Sequence, residues 1–222
     1  MPSAKAPSTS AGAIATDLRV PVTSVIFDVG HVLYDWDPRV LYERLFDDEQ
    51  ALDLFLREVA TREWHFQHDA GRPFAETSAE LIALHPEHAE MIRAWGPRFS
   101  EQIPGPITDM PAIVEELDAN GVPLFAITNF SGEFFAPFRA REAALFDRFR
   151  DIVVSGDEKL IKPDAAIYRL ALRRFGVAAD ETIFVDDNAA NIAGARAVGI
   201  RAHHFRDAVT LRAELTELGL LR

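Results

Sequence analysis

The 222-residue chain contains no cysteine. Disulfides, thiolate nucleophiles, thiolate zinc sites and iron–sulfur clusters are therefore excluded. Cations are in the minority: 23 Lys and Arg stand against 35 Asp and Glu, a formal net charge of −12. A surface of that sign repels phosphate backbones and anionic bilayers, which argues against nucleic-acid and membrane partners. Small phosphorylated ligands stay open, because a local cation reverses the field at one site. No apolar run approaches the ~18 residues that a membrane span needs. Nor does the N-terminal stretch hold the continuous apolar segment of a secretory signal. Glycine (12) and proline (13) are too few for a collagen-like or broadly disordered chain. The cytoplasm is the expected compartment.

The apolar fraction, 48%, and the charged fraction, 26%, are those of a soluble globular protein. The length suits one large domain or one domain with a sizeable insertion. Residues 1–20, rich in Ser, Ala, Pro and Thr, read as a disordered tail. Beyond it, strand and helix patterns alternate. Val22–Val29, Val122–Thr128, Asp151–Ser155, Thr182–Val185 and Arg201–Phe205 are short apolar runs of the kind buried on both faces of a parallel sheet. Helical spacing occupies Asp109–Ala119, Ala165–Phe175, Asn188–Val198 and Ala208–Leu218. The alternation predicts an α/β doubly wound parallel sheet.

One connection is far too long for a loop. It carries helical patterns at Leu41–Phe46, Leu52–Val59, Ala75–Leu84 and Ala89–Phe99, and no strand. An inserted helical subdomain over residues 36–104 is expected, between core segments 21–35 and 105–222.

In open α/β sheets, ligands bind beyond the carboxyl ends of the strands. The residues just past those ends are Asp28 and Gly30, then Thr128 and Asn129, then Lys162, then Asp186, Asp187 and Asn191. Carboxylates, a lysine, a hydroxyl and amides at one edge suit a divalent cation with an oxyanion. Asp28 and Asp187 offer the hard oxygens that Mg²⁺ prefers. Thr128 and Asn129 can donate to an anion, and Lys162 is a point charge suited to phosphate. Each residue also has a plainer reading: Asp28 as a turn residue, the Asp186–Asn188 run as a helix N-cap, Lys162 as a solvated surface lysine. His65, His68 and Asp69 mimic a metal cluster but read more simply as a solvated helix end. Trp64, Gln67 and Arg72 beside them are candidate substrate contacts. His203 and His204, consecutive in a strand, face opposite sides and cannot chelate one ion.

The segments FDVGHVLYDWD, ITN, LIKPD and FVDDNAAN, in that order, resemble the four motifs of the haloacid dehalogenase (HAD) superfamily. Within it the chain resembles the subgroup of bacterial α-glucose-1-phosphate phosphatase and the phosphatase domain of soluble epoxide hydrolase, which carries an Asp pair followed by Asn as Asp186, Asp187 and Asn191 do. The resemblance implies sheet order 5-4-1-2-3 and a helical cap. It also implies a Mg²⁺-dependent phosphatase of small phosphorylated metabolites, sugar phosphates foremost. Asp28 would be the nucleophile and form an aspartyl-phosphate. Asp28, Asp187 and the Gly30 carbonyl would hold Mg²⁺, Thr128 and Lys162 would hold the phosphoryl group, and Asp186 would orient Lys162.

One position departs from the superfamily pattern. Gly30 stands where most of its phosphatases carry a second aspartate, the general acid–base. Help of that kind is worth ~10²–10⁴-fold. His31, the next residue, is a candidate substitute and substrate contact. A 2-haloacid dehalogenase and a catalytically weak binding protein are the alternative readings, with the acidic pair arguing against the first and retention of Asp28, Lys162 and Asp187 against the second. A monomer or C2 homodimer is the default assembly.

Overall fold

The computed structural model describes residues 20–222. The expected tail, but for Val20, lies outside them. Five parallel strands form one sheet: β1 Ser24–Phe27, β2 Leu124–Thr128, β3 Asp151–Val154, β4 Thr182–Asp186 and β5 Arg201–His204. The order is β3-β2-β1-β4-β5, the expected order read from the other edge.

The pleat sorts the side chains of β1. Val25 and Phe27 join one apolar cluster with Met110, Leu117, Leu211 and Leu215. These come from helices α6 Met110–Ala119 and α12 Ala208–Glu217. Ile26 joins the opposite cluster with Ile167, Tyr168, Ile192 and Ala195. These come from α10 Ala165–Phe175 and α11 Ala189–Ala197. Helices thus cover both faces, which is why the strands read as unbroken apolar runs.

Between β1 and α6 the chain is helical: α1 Arg39–Tyr42, α2 Glu49–Leu54, α3 Arg62–Asp69, α4 Phe74–Leu84 and α5 Ala89–Trp95, with a π turn at Phe55–Val59 and 3₁₀ turns at Pro86–His88 and Phe99–Gln102. The chain leaves and returns at one place. Asp35 N–H donates to the Gly105 carbonyl at 3.1 Å and Asp37 N–H to the Gln102 carbonyl at 2.9 Å. Trp64, Trp95 and Phe99 of this segment belong to the same apolar cluster as Phe27, so the helices share the core of the sheet.

Three short helices between β2 and α10 have no counterpart in the sequence reading: α7 Gly132–Arg141, α8 Ala143–Phe146 and α9 Ser155–Glu158. Helix α7 opens at a glycine and contains Pro137, both helix breakers by propensity. Burial of Phe134, Phe135 and Phe138 against the sheet's end overrides them. Among the described residues, no helix is long and apolar enough to cross a membrane.

Candidate active site

Register brings the acids together. Phe27 pairs with Val185, and Asp28 N–H donates to the Val185 carbonyl at 2.8 Å. The end of β1 therefore lies beside the end of β4, and Asp28 meets Asp186 and Asp187. Single carboxylate oxygens of these three lie within 4.8 Å of one another, the only such group among the described residues.

Lys162 enters from the loop between α9 and α10. Its Nζ lies 2.7 Å from Asp28 Oδ2 and 2.7 Å from Asp186 Oδ2, and its side chain has no exposed surface. The solvated-lysine reading fails. Burial drives the ammonium pKa down, but the two carboxylates outweigh burial and hold it above the ordinary lysine value. Burial pushes the Asp28 carboxyl up against the pull of Lys162.

The two adjacent aspartates have separate surroundings. Asp186 is fully buried, and its oxygens accept from Lys162 Nζ, from Asn188 N–H at 2.8 Å and from Asn191 Nδ2 at 3.0 Å. Its lone pairs are occupied by protein. Asp187 is only half-buried and lines the cleft. Burial and the charge of Asp186 raise its pKa. The N-cap of α11 is Asn188, whose side chain accepts from Ala190 N–H, so neither aspartate caps the helix.

Three carboxylates and one ammonium leave about two uncompensated negative charges when the acids are ionised. That excess, on hard oxygens converging from two strand ends, fits a small divalent cation. Asp28, Asp187 and the adjacent Gly30 backbone are the groups able to hold it.

The cleft encloses about 240 Å³ and is lined by Asp28, Gly30, His31, Asn129, Lys162, Asp187 and Asn191. The helical segment adds Trp36, Arg62, His65, Phe66, Asp69 and Phe99 to the lining, and Phe130 joins it from the loop after β2. Trp36 stacks on His65 at 4.9 Å between ring centres, and His65 on Phe99 at 5.5 Å.

The remaining expected residues are placed unevenly. Asn129 lines the cleft, but its side-chain amide is engaged with the Lys162 peptide, donating to the carbonyl at 3.0 Å and accepting from the N–H at 2.8 Å. It fixes the lysine's loop. Thr128 is buried at the end of β2. His31 lines the cleft with a left-handed backbone, φ 55°, and its Nδ1 lies 3.3 Å from Asp35. Trp64 and Arg72 are not at the cleft. Trp64 is buried under α4 and donates to the Thr77 carbonyl at 3.2 Å, because an indole at that point of α3 faces the apolar interior. Arg72 reaches outward to Glu80 at 2.8 Å.

His65, His68 and Asp69 are not a solvated helix end, and they do not form a metal-holding group. His65 packs among Trp36, Trp95 and Phe99, and His68 among Trp64, Phe74 and Phe134, while the Asp69 carbonyl accepts from Ser155 Oγ. His68 Nε2 and Thr77 Oγ1 share a hydrogen bond of 2.6 Å. His65 Nε2 lies 3.7 Å from Asp69 Oδ2. The i, i+4 spacing of His65 and Asp69 is the sequence signal for a shared helix face. Nothing in the sequence says that this face looks into the cleft.

Comparison with known proteins agrees with this geometry. Residues 22–199 match the model of the haloacid dehalogenase-like hydrolases. A sesquiterpene phosphatase of Aspergillus oryzae is 27% identical over 88% of this chain and 95% of its own length. A phosphoglycolate phosphatase of Yersinia pseudotuberculosis is 32% identical, over 60% of this chain and 54% of its own. Among solved structures, a HAD-like hydrolase from Porphyromonas gingivalis superposes with TM-score 0.69 at 17% identity, covering 90% of this chain and 98% of that one. A dehalogenase superposes with TM-score 0.63 at 20% identity, covering 82% and 84%. Sequence motifs, strand order and the family match over most of the chain lead to one conclusion: this protein is a hydrolase of the haloacid dehalogenase-like family.

Proposed function

We propose that the protein is a Mg²⁺-dependent phosphatase of small phosphate monoesters, with Asp28 as nucleophile. The observation that carries this reading is the buried Asp28–Lys162–Asp186 array beside the free carboxylate of Asp187. Asp28 Oδ1 accepts from Val29 N–H at 2.7 Å, which fixes the carboxylate at the cleft floor. Attack by Asp28 on phosphorus forms an acyl-phosphate and releases the alcohol. Water then attacks phosphorus and frees the carboxylate. Lys162 balances charge on Asp28 and on the phosphoryl oxygens, and Asp186 holds Lys162 in place. Asp28, Asp187 and the Gly30 carbonyl would bind Mg²⁺, which supplies Lewis-acid stabilisation of the phosphoryl oxygens. Thr128 ends β2 at the same sheet edge and would donate to one of those oxygens.

Residues 36–104 would act as a cap that selects the leaving group. Its contribution to the cleft is half aromatic, from Trp36, Phe66 and Phe99, and half polar, from Arg62, His65 and Asp69. The aromatic part accepts the apolar face of a sugar phosphate. It accepts a hydrocarbon leaving group equally well, a reading that the likeness to a sesquiterpene phosphatase also favours. A dehalogenase reading draws on shared fold, the superposed dehalogenase being 20% identical, and on an (S)-2-haloacid dehalogenase of Burkholderia cepacia that is 34% identical over only 41% of this chain. That chemistry uses no cation, and it gives Asp187 no task.

The test is phosphate release from sugar phosphates, a prenyl monophosphate and an aryl phosphate, with Mg²⁺ and with EDTA. Mg²⁺-dependent release is expected. Halide release from 2-chloropropionate, with no phosphate release from any ester, would replace this reading by dehalogenation.

A further inference from the structure

We propose that Asp69, carried by the helical segment, is the general acid–base of the cleft, with His65 as its positioning residue. The inference rests on the phosphatase reading of Asp28. A phosphate ester whose alcohol is a poor leaving group needs a proton delivered to the bridging oxygen as the P–O bond breaks. Gly30 has no side chain to give one, and open space surrounds the position where its Cβ would stand.

The other titratable groups at the cleft are occupied or unsuited. Lys162 is locked between two carboxylates. Arg62 carries a guanidinium, which suits an oxyanion and not proton transfer. His31 is turned to Asp35 and has nearly half of its side chain in solvent. Asp28 and Asp187 are assigned to phosphorus and cation. Asp69 remains. It ends α3, is 7% exposed, and lines the same cavity as Asp28. Its Oδ1 is buried without any hydrogen-bond partner. An orphaned buried oxygen is costly, and such costs collect where a group has work to do.

The backbone of Asp69 is fixed to the sheet's end. Its carbonyl accepts from Ser155 Oγ at 2.6 Å, and Ser155 Oγ in turn accepts from Phe130 N–H at 2.9 Å. The carboxyl therefore has a set position over the loop that follows β2. Burial pushes it up, to about 7, against the pull of the Ser131 N–H and the Lys162 ammonium. It holds a proton near neutrality. His65 is driven down to about 3 by burial and by the charges of His68 and Arg62. It stays neutral at 3.7 Å from Oδ2, a neighbour that orients the carboxyl without taking its proton outright.

In the first step the Asp28–phosphorus bond forms and the phosphorus–alkoxy bond breaks, while the Asp69 proton passes to the departing oxygen. In the second, the Asp69 carboxylate removes a proton from the attacking water as the new oxygen–phosphorus bond forms and the acyl-phosphate bond breaks. Asp69 is then protonated again.

The experiment compares p-nitrophenyl, phenyl and benzyl phosphate with Mg²⁺, a series in which the leaving group needs progressively more protonation. Asp69→Asn should lower kcat/KM, which reports the step that expels the alcohol, by ~10²–10⁴-fold for benzyl phosphate and by less than tenfold for p-nitrophenyl phosphate. His65→Gln should reproduce the trend more weakly. Equal losses across the series would overturn the assignment. Should Asp69→Asn fail to fold, the wild type decides. Its kcat/KM for benzyl phosphate should fall through an alkaline limb near pH 7 that p-nitrophenyl phosphate lacks, and identical profiles would overturn the proposal. Failure of the wild type to release phosphate from all three esters would instead remove the phosphatase reading beneath it.

Discussion

Lys162 Nζ lies 2.7 Å from Asp28 Oδ2, and no solvent reaches the lysine side chain. Breaking a buried ion pair by removing one partner typically costs ~3–5 kcal/mol, because the other charge is left uncompensated. Here two carboxylates, Asp28 and Asp186, lose the same partner. Lys162→Ala should therefore lose both stability and turnover, the acids taking up protons to survive burial. Thermal melting and phosphate release check this together. A variant with wild-type melting and kinetics would return Lys162 to a passive role.

Asp28→Asn should separate catalysis from folding. The amide keeps the shape and still accepts from Val29 N–H through its oxygen, as the carboxylate does at 2.7 Å. It cannot attack phosphorus. Turnover should fall to background while the melting temperature moves by only a few degrees. Intact-protein mass spectrometry after rapid acid quench should find a phosphorylated species in the wild type and none in the variant. Near-wild-type turnover would remove Asp28 from the mechanism.

The motif residues were legible because their spacing reflects the sheet itself. Asp28 follows β1, Thr128 and Asp186 end β2 and β4, and parallel register carries Asp28 and Asp186 to one edge. The strands were legible for the same reason, being buried on both faces. Helix α7 was not, since Gly132 and Pro137 argue against a helix locally and only the packing of Phe134 and Phe138 restores it. The cap side chains were the least legible. Trp64 and His65 are neighbours, yet one is buried beneath α4 and the other faces the cleft. Which of them points inward depends on how α3 lies on the sheet's end, and periodicity within α3 does not state that.

Asp186 and Asp187 should fail differently. Asp186 is engaged with Lys162, Asn188 and Asn191, whereas Asp187 presents its carboxylate to the cleft. Asp187→Asn should raise the Mg²⁺ concentration for half-maximal activity at least tenfold, in keeping with losses on disturbing metal sites. Asp186→Asn should lower kcat through a misplaced Lys162 and leave the Mg²⁺ requirement within a few-fold of wild type. Titration of activity with Mg²⁺ in both variants separates the two. Identical shifts would mean that both carboxylates hold the cation.

His68 should make the fold sensitive to mild acid. It is buried among Trp64, Phe74 and Phe134, and burial, with a smaller push from the Arg72 charge, drives its pKa down to about 4. The ordinary histidine value is 6.5. Between these values the unfolded chain binds the proton and the folded chain does not, so stability falls as pH drops from about 6.5 toward 4. Each pH unit in that window removes roughly 1.4 kcal/mol, or about 3 kcal/mol over the whole span. Asp69 works in the opposite sense, since its folded pKa is raised, and only a difference between two proteins isolates the histidine. His68→Phe supplies that difference. Its ring suits the aromatic surroundings, and the Thr77 hydroxyl keeps the Phe74 carbonyl as acceptor at 3.3 Å. Urea unfolding at pH 7.5 and 5 should give a smaller loss for His68→Phe than for the wild type. Equal losses would show that His68 titrates alike in the folded and unfolded chain.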